Sequence, residues 1–211
     1  MVKSKSSRRW LDEHFKDKYV KDISDSGYRS RASYKLLEMQ KKDSFMRPGM
    51  TIVDLGAAPG GWPQIALSVV GAKGKILATD ILPMEPITGV DFIQGDFSKE
   101  EVFDDLVSRI GDSPVDLVIS DMAPNISGVK ERDRAESLRL NLLTVDMAQT
   151  YLKNKGVAVM KTFQNPQVAN LVEEIKNSFS SVRIVKPAAS RKESSEVYVV
   201  AQGFRALGSR G

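Results

Sequence analysis

The chain has 211 residues, 41% of them hydrophobic, which predicts a single domain able to bury about 70% of its unfolded surface. It has no cysteine and one histidine, which excludes disulfides, thiolate metal sites and a cysteine nucleophile and argues against a histidine-based metal site. No apolar run is long enough for a membrane span and the N-terminus lacks a signal-peptide core. We therefore expect a cytoplasmic protein without a metal ion.

The first fifty residues carry most of the excess positive charge of the chain. They contain 13 Lys and Arg against 7 Asp and Glu, within a formal net charge of +4. Residues 1–9 lack an apolar pattern, which predicts a disordered basic tail. Helical spacing of apolar residues follows over residues 10–23 and again over about 30–42, where Lys35 falls on the solvent face. Such a region is either a solvated tail or a surface that contacts phosphates.

From residue 51 onward, apolar runs alternate with helical patterns, as is typical of a parallel sheet with helices on both faces. We predict strands over residues 51–55, 75–79, 90–94, 115–120, 157–160, 182–185 and 196–201. The predicted helices between them cover about 64–70, 99–110, 134–152 and 167–179. Residues 10–204 are then one domain, and residues 205–211 form a frayed tail.

A glycine-rich turn lies at the start of this domain. The sequence TIVDLGAAPGGW over residues 51–62 predicts a strand, a turn and a helix start. Gly56, Gly60 and Gly61 would let backbone amides approach a nucleotide-like ligand, and the helix N-terminus adds unpaired N–H groups. By itself the turn is also compatible with simple packing of a helix on a strand.

Charged residues recur where the predicted strands end. Asp80, Asp96, Asp121 and Lys161 each end or follow a strand, and carboxyl ends of parallel strands meet at the ligand-binding edge of a sheet. Asp80 lies nineteen residues beyond Gly61, about the spacing at which a carboxylate binds a ribose diol. Asp96 could accept a hydrogen bond from an adenine amino group. Any one of them alone could be an ordinary cap or loop residue.

Taken together, the motifs resemble a known family. VDLGAAPGGW, TDILPM, VDFIQGDF, SDMAPN, VMKTFQ and SRKESSEVYVVA are similar to those of the FtsJ/RrmJ-type ribosomal RNA 2′-O-ribose methyltransferases, over roughly residues 8–203. The resemblance implies the class I methyltransferase (Rossmann-like) α/β fold, a seven-stranded, mostly parallel sheet with an antiparallel last strand. It also implies S-adenosyl-L-methionine as methyl donor. The acceptor would be a nucleotide, expected to be a uridine, of large-subunit ribosomal RNA within a ribosomal particle, and the enzyme a monomer.

The resemblance also assigns site residues. The implied catalytic residues are Lys35, Asp121, Lys161 and Glu196. The residues expected to bind the cofactor are Asp54, Gly56, Ala57, Pro59, Gly60, Gly61, Trp62, Asp80, Ile81, Asp96, Phe97 and Asp121. The residues expected to contact RNA are Arg8, Arg9, Arg29, Arg31, Lys35, Arg191 and Lys192. Two departures from the family pattern are Pro63 and the stretch 164–166, which lacks a glycine after the catalytic lysine and leaves that loop's shape open.

Three other functions remain as alternatives. Tyr151 and Lys155 have the Tyr-x-x-x-Lys spacing of short-chain oxidoreductases, although their position at a helix end explains both residues. A base methyltransferase would usually place an aromatic residue after the acidic one, and the loop Met122-Ala123-Pro124-Asn125 has none. The third alternative is a non-catalytic RNA-binding or ribosome-assembly protein that keeps the fold.

Overall fold

The computed structural model describes residues 27–206. The predicted basic tail, the first predicted helix, Arg8, Arg9 and residues 207–211 lie outside the described residues. Arg205 was predicted to begin the frayed tail, but its backbone N–H donates to the carbonyl of Ser178 and its guanidinium to that of Phe179. Arg205 is thus hydrogen-bonded to the residue before β6 and to the first residue of β6.

Seven strands and five α-helices make up this part of the chain. The strands are β1 (Thr51–Leu55), β2 (Lys75–Asp80), β3 (Val90–Gln94), β4 (Val115–Ser120), β5 (Leu152–Phe163), β6 (Phe179–Val185) and β7 (Glu196–Phe204). The helices are α1 (Ala32–Asp43), α2 (Gly61–Val70), α3 (Glu100–Ile110), α4 (Lys130–Tyr151) and α5 (Pro166–Lys176), with a short 3₁₀ turn at Gly71–Lys73. No helix within residues 27–206 is long and apolar enough to cross a membrane.

The strands form one sheet in the order β3-β2-β1-β4-β5-β7-β6. β1 to β5 are parallel, and β7 runs antiparallel to both of its neighbours, β5 and β6. This confirms the predicted seven-stranded, mostly parallel sheet with an antiparallel last strand. The strand order reverses between β1 and β4, and ligands of such sheets bind beside that point, outside the carboxyl ends of the strands.

Hydrophobic cores lie on both faces of the sheet. Because successive strand residues point to opposite faces, Val53 packs in the cluster with α3 and α5, whereas Ile52 packs in the cluster with α1 and α2. β4 alternates in the same way from Leu117 to Ile119, after a register shift that follows Val115, and all six of its residues are buried. The continuous apolar runs of the central strands therefore follow from their burial between two helical layers.

The largest difference from the predicted elements is in β5, which begins at Leu152 rather than at residue 157. Its first part is polar: Lys153 pairs with Asp116 at the start of β4, and Lys155 has a positive φ of 67°. A hydropathy pattern therefore could not identify it. The glycine-free stretch after β5 forms a helix cap instead, since the Asn165 side chain accepts a hydrogen bond from the Gln167 N–H, with Pro166 as the first helical residue.

Candidate active site

A cavity of about 440 Å³ opens at the carboxyl ends of β1 to β4. Its lining comes from the loops after these four strands and from one face of α4. The lining residues are Gly56, Ala58, Thr79, Asp80, Ile81, Leu82, Gly95, Asp96, Phe97, Asp121, Met122, Ala123, Pro124, Asn125, Glu136, Arg139, Leu140 and Leu143. The cavity therefore lies at the predicted edge of the sheet, beside the reversal of strand order.

The structure brings about half of the predicted cofactor residues to this cavity. Gly56, Asp80, Ile81, Asp96, Phe97 and Asp121 line it. The other six, Asp54, Ala57, Pro59, Gly60, Gly61 and Trp62, belong to β1, the following turn and the start of α2, and they are not among the lining residues. Trp62 is buried: its indole N–H donates to the carbonyl of Ala32 at 2.8 Å, and its ring packs against Tyr198.

The glycines of the turn serve different neighbours. Gly56 has a φ of +81°, and a Cβ there would lie 2.7 Å from Cγ of Met122, so the loops after β1 and β4 approach closely only because this residue is glycine. A Cβ at Gly60 would instead lie 2.9 Å from Nη1 of Arg29, and one at Gly61 would overlap Ser30. In the described chain, Gly60 and Gly61 thus make room for the segment that precedes α1.

Two carboxylates of the cavity are held in place by hydrogen bonds from neighbouring loop residues. Asp80 accepts from the N–H of Ala58 at 2.9 Å and from that of Leu82 at 2.8 Å, so its carboxylate bridges the turn after β1 and the loop after β2. Asp96 accepts from both the N–H and the hydroxyl of Ser98. The hydrogen bonds from Ser98 lower the pKa of Asp96 below its usual range, which keeps it ionised at neutral pH.

A third carboxylate lies beneath them. Asp54, in β1, is fully buried, and neither of its oxygens has a hydrogen-bond partner among residues 27–206. Burial, with added repulsion from Asp121 and Asp80, raises the pKa of Asp54 well above its usual value. The neutral acid is therefore favoured at this position.

Next to the cavity, two lysine–carboxylate pairs meet around a tyrosine. Lys161 Nζ lies 3.0 Å from Oδ1 of Asp121 and also donates to the Asp121 carbonyl at 2.5 Å. Lys35 Nζ lies 2.6 Å from Oε1 of Glu196. Tyr198 is fully buried, with its hydroxyl 2.9 Å from Oδ1 of Asp121 and 3.3 Å from Oε1 of Glu196. All four predicted catalytic residues thus lie in one connected cluster, to which Tyr198 adds a fifth member.

The position of Lys35 corrects the helical interpretation of the sequence. Periodicity placed it on the solvent face of the helix, but its side chain is only 12% exposed because α1 turns this face toward the start of β7. Sequence periodicity could not show this, since the partner, Glu196, is 161 residues away. Only the family resemblance identified the pair.

Comparison with known proteins identifies the family of this chain. Residues 28–204 match the model of the FtsJ-like methyltransferase family, which covers most of the chain. The chain belongs to the FtsJ-like methyltransferase family. One relative is the ribosomal RNA large subunit methyltransferase E of Cellvibrio japonicus, 53% identical over 97% of this chain and 97% of that protein. The protein of the same name from Pseudomonas aeruginosa strain PAO1 is 51% identical over 97% of this chain and 99% of its own length.

A solved structure is also similar. It is named as a ribosomal RNA methyltransferase of Plasmodium falciparum, and it covers 85% of this chain and 100% of its own chain with a TM-score of 0.77 and 33% identity. Membership in an FtsJ-like methyltransferase family excludes the oxidoreductase alternative. Tyr151 is the last residue of α4, and Lys155 is exposed on β5. Neither residue lines the cavity.

Several contacts at this methyltransferase site were not predicted. Ser190 is buried and its hydroxyl donates to Oε1 of Glu196 at 3.2 Å. Glu136 and Arg139 line the cavity from α4 and form an ion pair at 2.8 Å. The only sequence signal for that pair was opposite charges three residues apart on a helix following the SDMAPN loop. Among residues 27–206, no group of His, Cys, Asp and Glu has the arrangement of a metal site.

Among the predicted RNA contacts within residues 27–206, Lys35 is paired with Glu196, and the other four divide into two groups. Arg191 and Lys192 are exposed, as a phosphate-contacting surface requires. Arg29 and Arg31 are partly buried instead, and their guanidinium groups donate to backbone carbonyls of this protein. Burial and the positive charge of Arg191 lower the pKa of Arg31, but it stays far above neutral pH for a guanidinium.

Proposed function

We propose that this protein transfers a methyl group from S-adenosyl-L-methionine to a ribose 2′-hydroxyl of large-subunit ribosomal RNA. The observation that carries the proposal is the cluster in which the Lys161–Asp121 and Lys35–Glu196 pairs meet beside the cavity. The relatives named as ribosomal RNA large subunit methyltransferase E support the choice of substrate. We also propose that the enzyme is monomeric and cytoplasmic, and that its substrate is the ribosomal particle.

The cavity fits S-adenosylmethionine in size and chemistry. Its volume of about 440 Å³ is within the range of about 300–1,000 Å³ for small-molecule sites. Asp80 would accept hydrogen bonds from the ribose diol, and the ionised Asp96 would accept one from the adenine amino group. Ile81 and Leu82 line the cavity with large exposed side chains that would cover the adenine ring. Asp54 lies beneath this site, and neither of its carboxyl oxygens has a hydrogen-bond partner among the described residues.

The bound cofactor would supply a methyl group that is already activated by its sulfonium sulfur. The acceptor is a poor nucleophile, so the protein must align the 2′-hydroxyl and withdraw its proton as the oxygen–carbon bond forms and the carbon–sulfur bond breaks. Lys161 is held for this role by two contacts with Asp121. We assign to Lys161 the alignment of the hydroxyl and, with its amine neutral, acceptance of the proton.

Glu196 has a supporting role in the same cluster. Burial by itself would raise its pKa, but the positive charge and hydrogen bond of Lys35, with a smaller contribution from Lys161, hold the pKa of Glu196 below its usual value. Glu196 is therefore ionised at neutral pH and fixes the ammonium group of Lys35. We propose that Lys35 in turn faces the acceptor nucleotide and helps to orient it.

The experiment is methyl transfer from tritiated S-adenosylmethionine to large ribosomal subunits that lack the modification. Digestion of the RNA followed by mass spectrometry distinguishes a ribose methyl from a base methyl. We expect a 2′-O-methyl nucleotide with wild-type protein and none with Lys161→Ala. A base methyl would mean that the function belongs to the base-methyltransferase alternative, and cofactor binding without any transfer would favour a non-catalytic assembly role. A parallel reaction on protein-free ribosomal RNA tests the preference for particles.

A further inference from the structure

The segment before α1 is tied to two loops of the cofactor site by one side chain. The guanidinium of Arg29 donates to the carbonyl of Pro59 at 3.3 Å, in the turn after β1. It also donates to the carbonyls of Glu85 at 2.5 Å and Pro86 at 3.1 Å, in the loop after β2. Arg29 therefore connects two loops that are otherwise separate in sequence.

The backbone of Arg29 is anchored as well. Its N–H donates to the Gln64 side chain of α2 at 2.9 Å, and the amide nitrogen of Gln64 donates to the carbonyl of Gly27 at 3.2 Å. The glycine at position 60 leaves room for the guanidinium, because a Cβ there would lie 2.9 Å from Nη1. The side chain thus has a defined place beside the turn.

The loops that Arg29 connects are the ones that carry the cofactor residues. The turn after β1 contains Ala58, and the loop after β2 begins with Ile81 and Leu82; all three line the cavity. On the cavity side, Asp80 joins the same two loops through its own hydrogen bonds to Ala58 and Leu82. Asp80 and Arg29 hold the same pair of loops at two different points.

We propose that Arg29 is a positioning residue of the cofactor site and not the phosphate contact that its charge had suggested. The proposal rests on the proposed function in one respect, namely that the ligand is S-adenosylmethionine. A guanidinium has five N–H groups in a rigid fork and can bond several carbonyls at once, whereas a lysine ammonium is a point charge on a flexible stem. A lysine at this position keeps the charge but cannot hold the same three carbonyls.

Arg31 provides a matched control two residues away. Its Nε and Nη2 donate to the carbonyl of Ala189 at 2.8 and 2.7 Å, in the loop between β6 and β7. Ser190 in this loop bonds Glu196, so Arg31 supports the acceptor side of the reaction centre rather than the cofactor side. Arg29→Lys and Arg31→Lys make the same chemical change on opposite sides of the site.

The test measures S-adenosylmethionine affinity by calorimetry, kcat and KM for both substrates, and the salt dependence of RNA binding. For Arg29→Lys we expect affinity for S-adenosylmethionine to fall about tenfold, as loss of one charge-assisted hydrogen bond from the guanidinium to a loop carbonyl predicts. Its kcat at saturating cofactor should stay within error of wild type. Arg29→Ala, which removes the charge, should leave the salt slope of RNA binding within error of wild type. Arg31→Lys should leave cofactor affinity within twofold and change methyl transfer instead.

Thermal unfolding of each variant shows whether it is folded. Should Arg29→Lys not fold, Gln64→Ala serves in its place, since it releases the Arg29 backbone without touching the cavity, and it should weaken cofactor binding about threefold. Unchanged cofactor affinity in a folded variant, or a flatter salt slope for Arg29→Ala, overturns the role proposed for Arg29. Wild-type protein that fails to bind S-adenosylmethionine overturns the proposed function itself.

Discussion

Replacing Lys161 by alanine is the most direct perturbation of the reaction centre. The change removes an ammonium group that lies 3.0 Å from Asp121, in a pair whose side chains are only 9% and 18% exposed. Positioned proton transfer contributes about 10²–10⁴ to a rate, so we expect kcat to fall at least about 100-fold, equivalent to roughly 2.7 kcal/mol of barrier. Affinity for the cofactor should stay within about twofold, because Lys161 does not line the cavity.

The stability cost of Lys161→Ala should be smaller than for a fully buried pair. Breaking such a pair costs about 3–5 kcal/mol because one charge stays behind unpaired. Here Asp121 lies at the cavity and keeps the hydroxyl of Tyr198 at 2.9 Å, so we expect about 1–3 kcal/mol. The variant should therefore remain folded at the temperature of the assay.

Single-turnover methylation of ribosomal particles, with enzyme in excess, isolates the chemical step from product release. Lys153→Ala is the control. It removes a lysine from the same strand, but this lysine lies at the other end of β5, where it pairs with Asp116. We expect this control to methylate at the wild-type rate. A Lys161→Ala enzyme within about fivefold of wild type would refute the assignment of Lys161 to proton withdrawal and alignment.

Three further predictions follow from other residues. Asp80→Asn should weaken S-adenosylmethionine binding by about 1.5–3 kcal/mol in calorimetry, because the neutral amide loses charge-assisted hydrogen bonds to the ribose; equal affinity would remove Asp80 from the site. Folded Asp54 keeps its proton above the pH of about 4 at which the unfolded chain loses it, so wild-type stability falls with rising pH. Asp54→Asn should therefore gain stability relative to wild type between pH 5 and 7 in urea denaturation, and a pH-independent difference would contradict the raised pKa. Removing residues 1–9, which include Arg8 and Arg9, should flatten the salt dependence of RNA binding by about 0.7–0.9 per lost contact, and an identical slope would make them a solvated tail.

The fold was predictable wherever burial controls the residue pattern. β1, β3 and β4 match the predicted ranges because each is a short segment rich in β-branched and other apolar residues, with a glycine or proline next to at least one end. The start of α4 was missed since its first turn is charged and packs little apolar surface, and α5 ends at Lys176 because Phe179 is already part of β6. Such boundaries depend on which neighbour a residue meets, and local sequence does not contain that information.

The site was predictable only in part from the residues themselves. Strand-end positions indicated Asp80, Asp96, Asp121 and Lys161, and all but Lys161 line the cavity. Tyr198 remained hidden because it occupies a core position in an apolar strand, and only the fold shows that its hydroxyl reaches two carboxylates. For Arg29 the RNA contact stays a prediction, since sequence shows its charge but not the carbonyls that surround it.

The place of β7 in the sheet has a consequence for synthesis of the protein. Of the strands within residues 27–206, β7 is the last to emerge from the ribosome, yet it lies between β5 and β6 and is the strand that joins β6 to the sheet. Until β7 arrives, β5 presents an open edge of unpaired backbone groups, a surface prone to pairing with other chains. β7 also carries Glu196 and Tyr198, so a nascent or truncated chain can contain the complete cofactor cavity and still lack two of the five residues of the lysine–carboxylate cluster. We therefore expect methyl transfer to require a chain that includes β7.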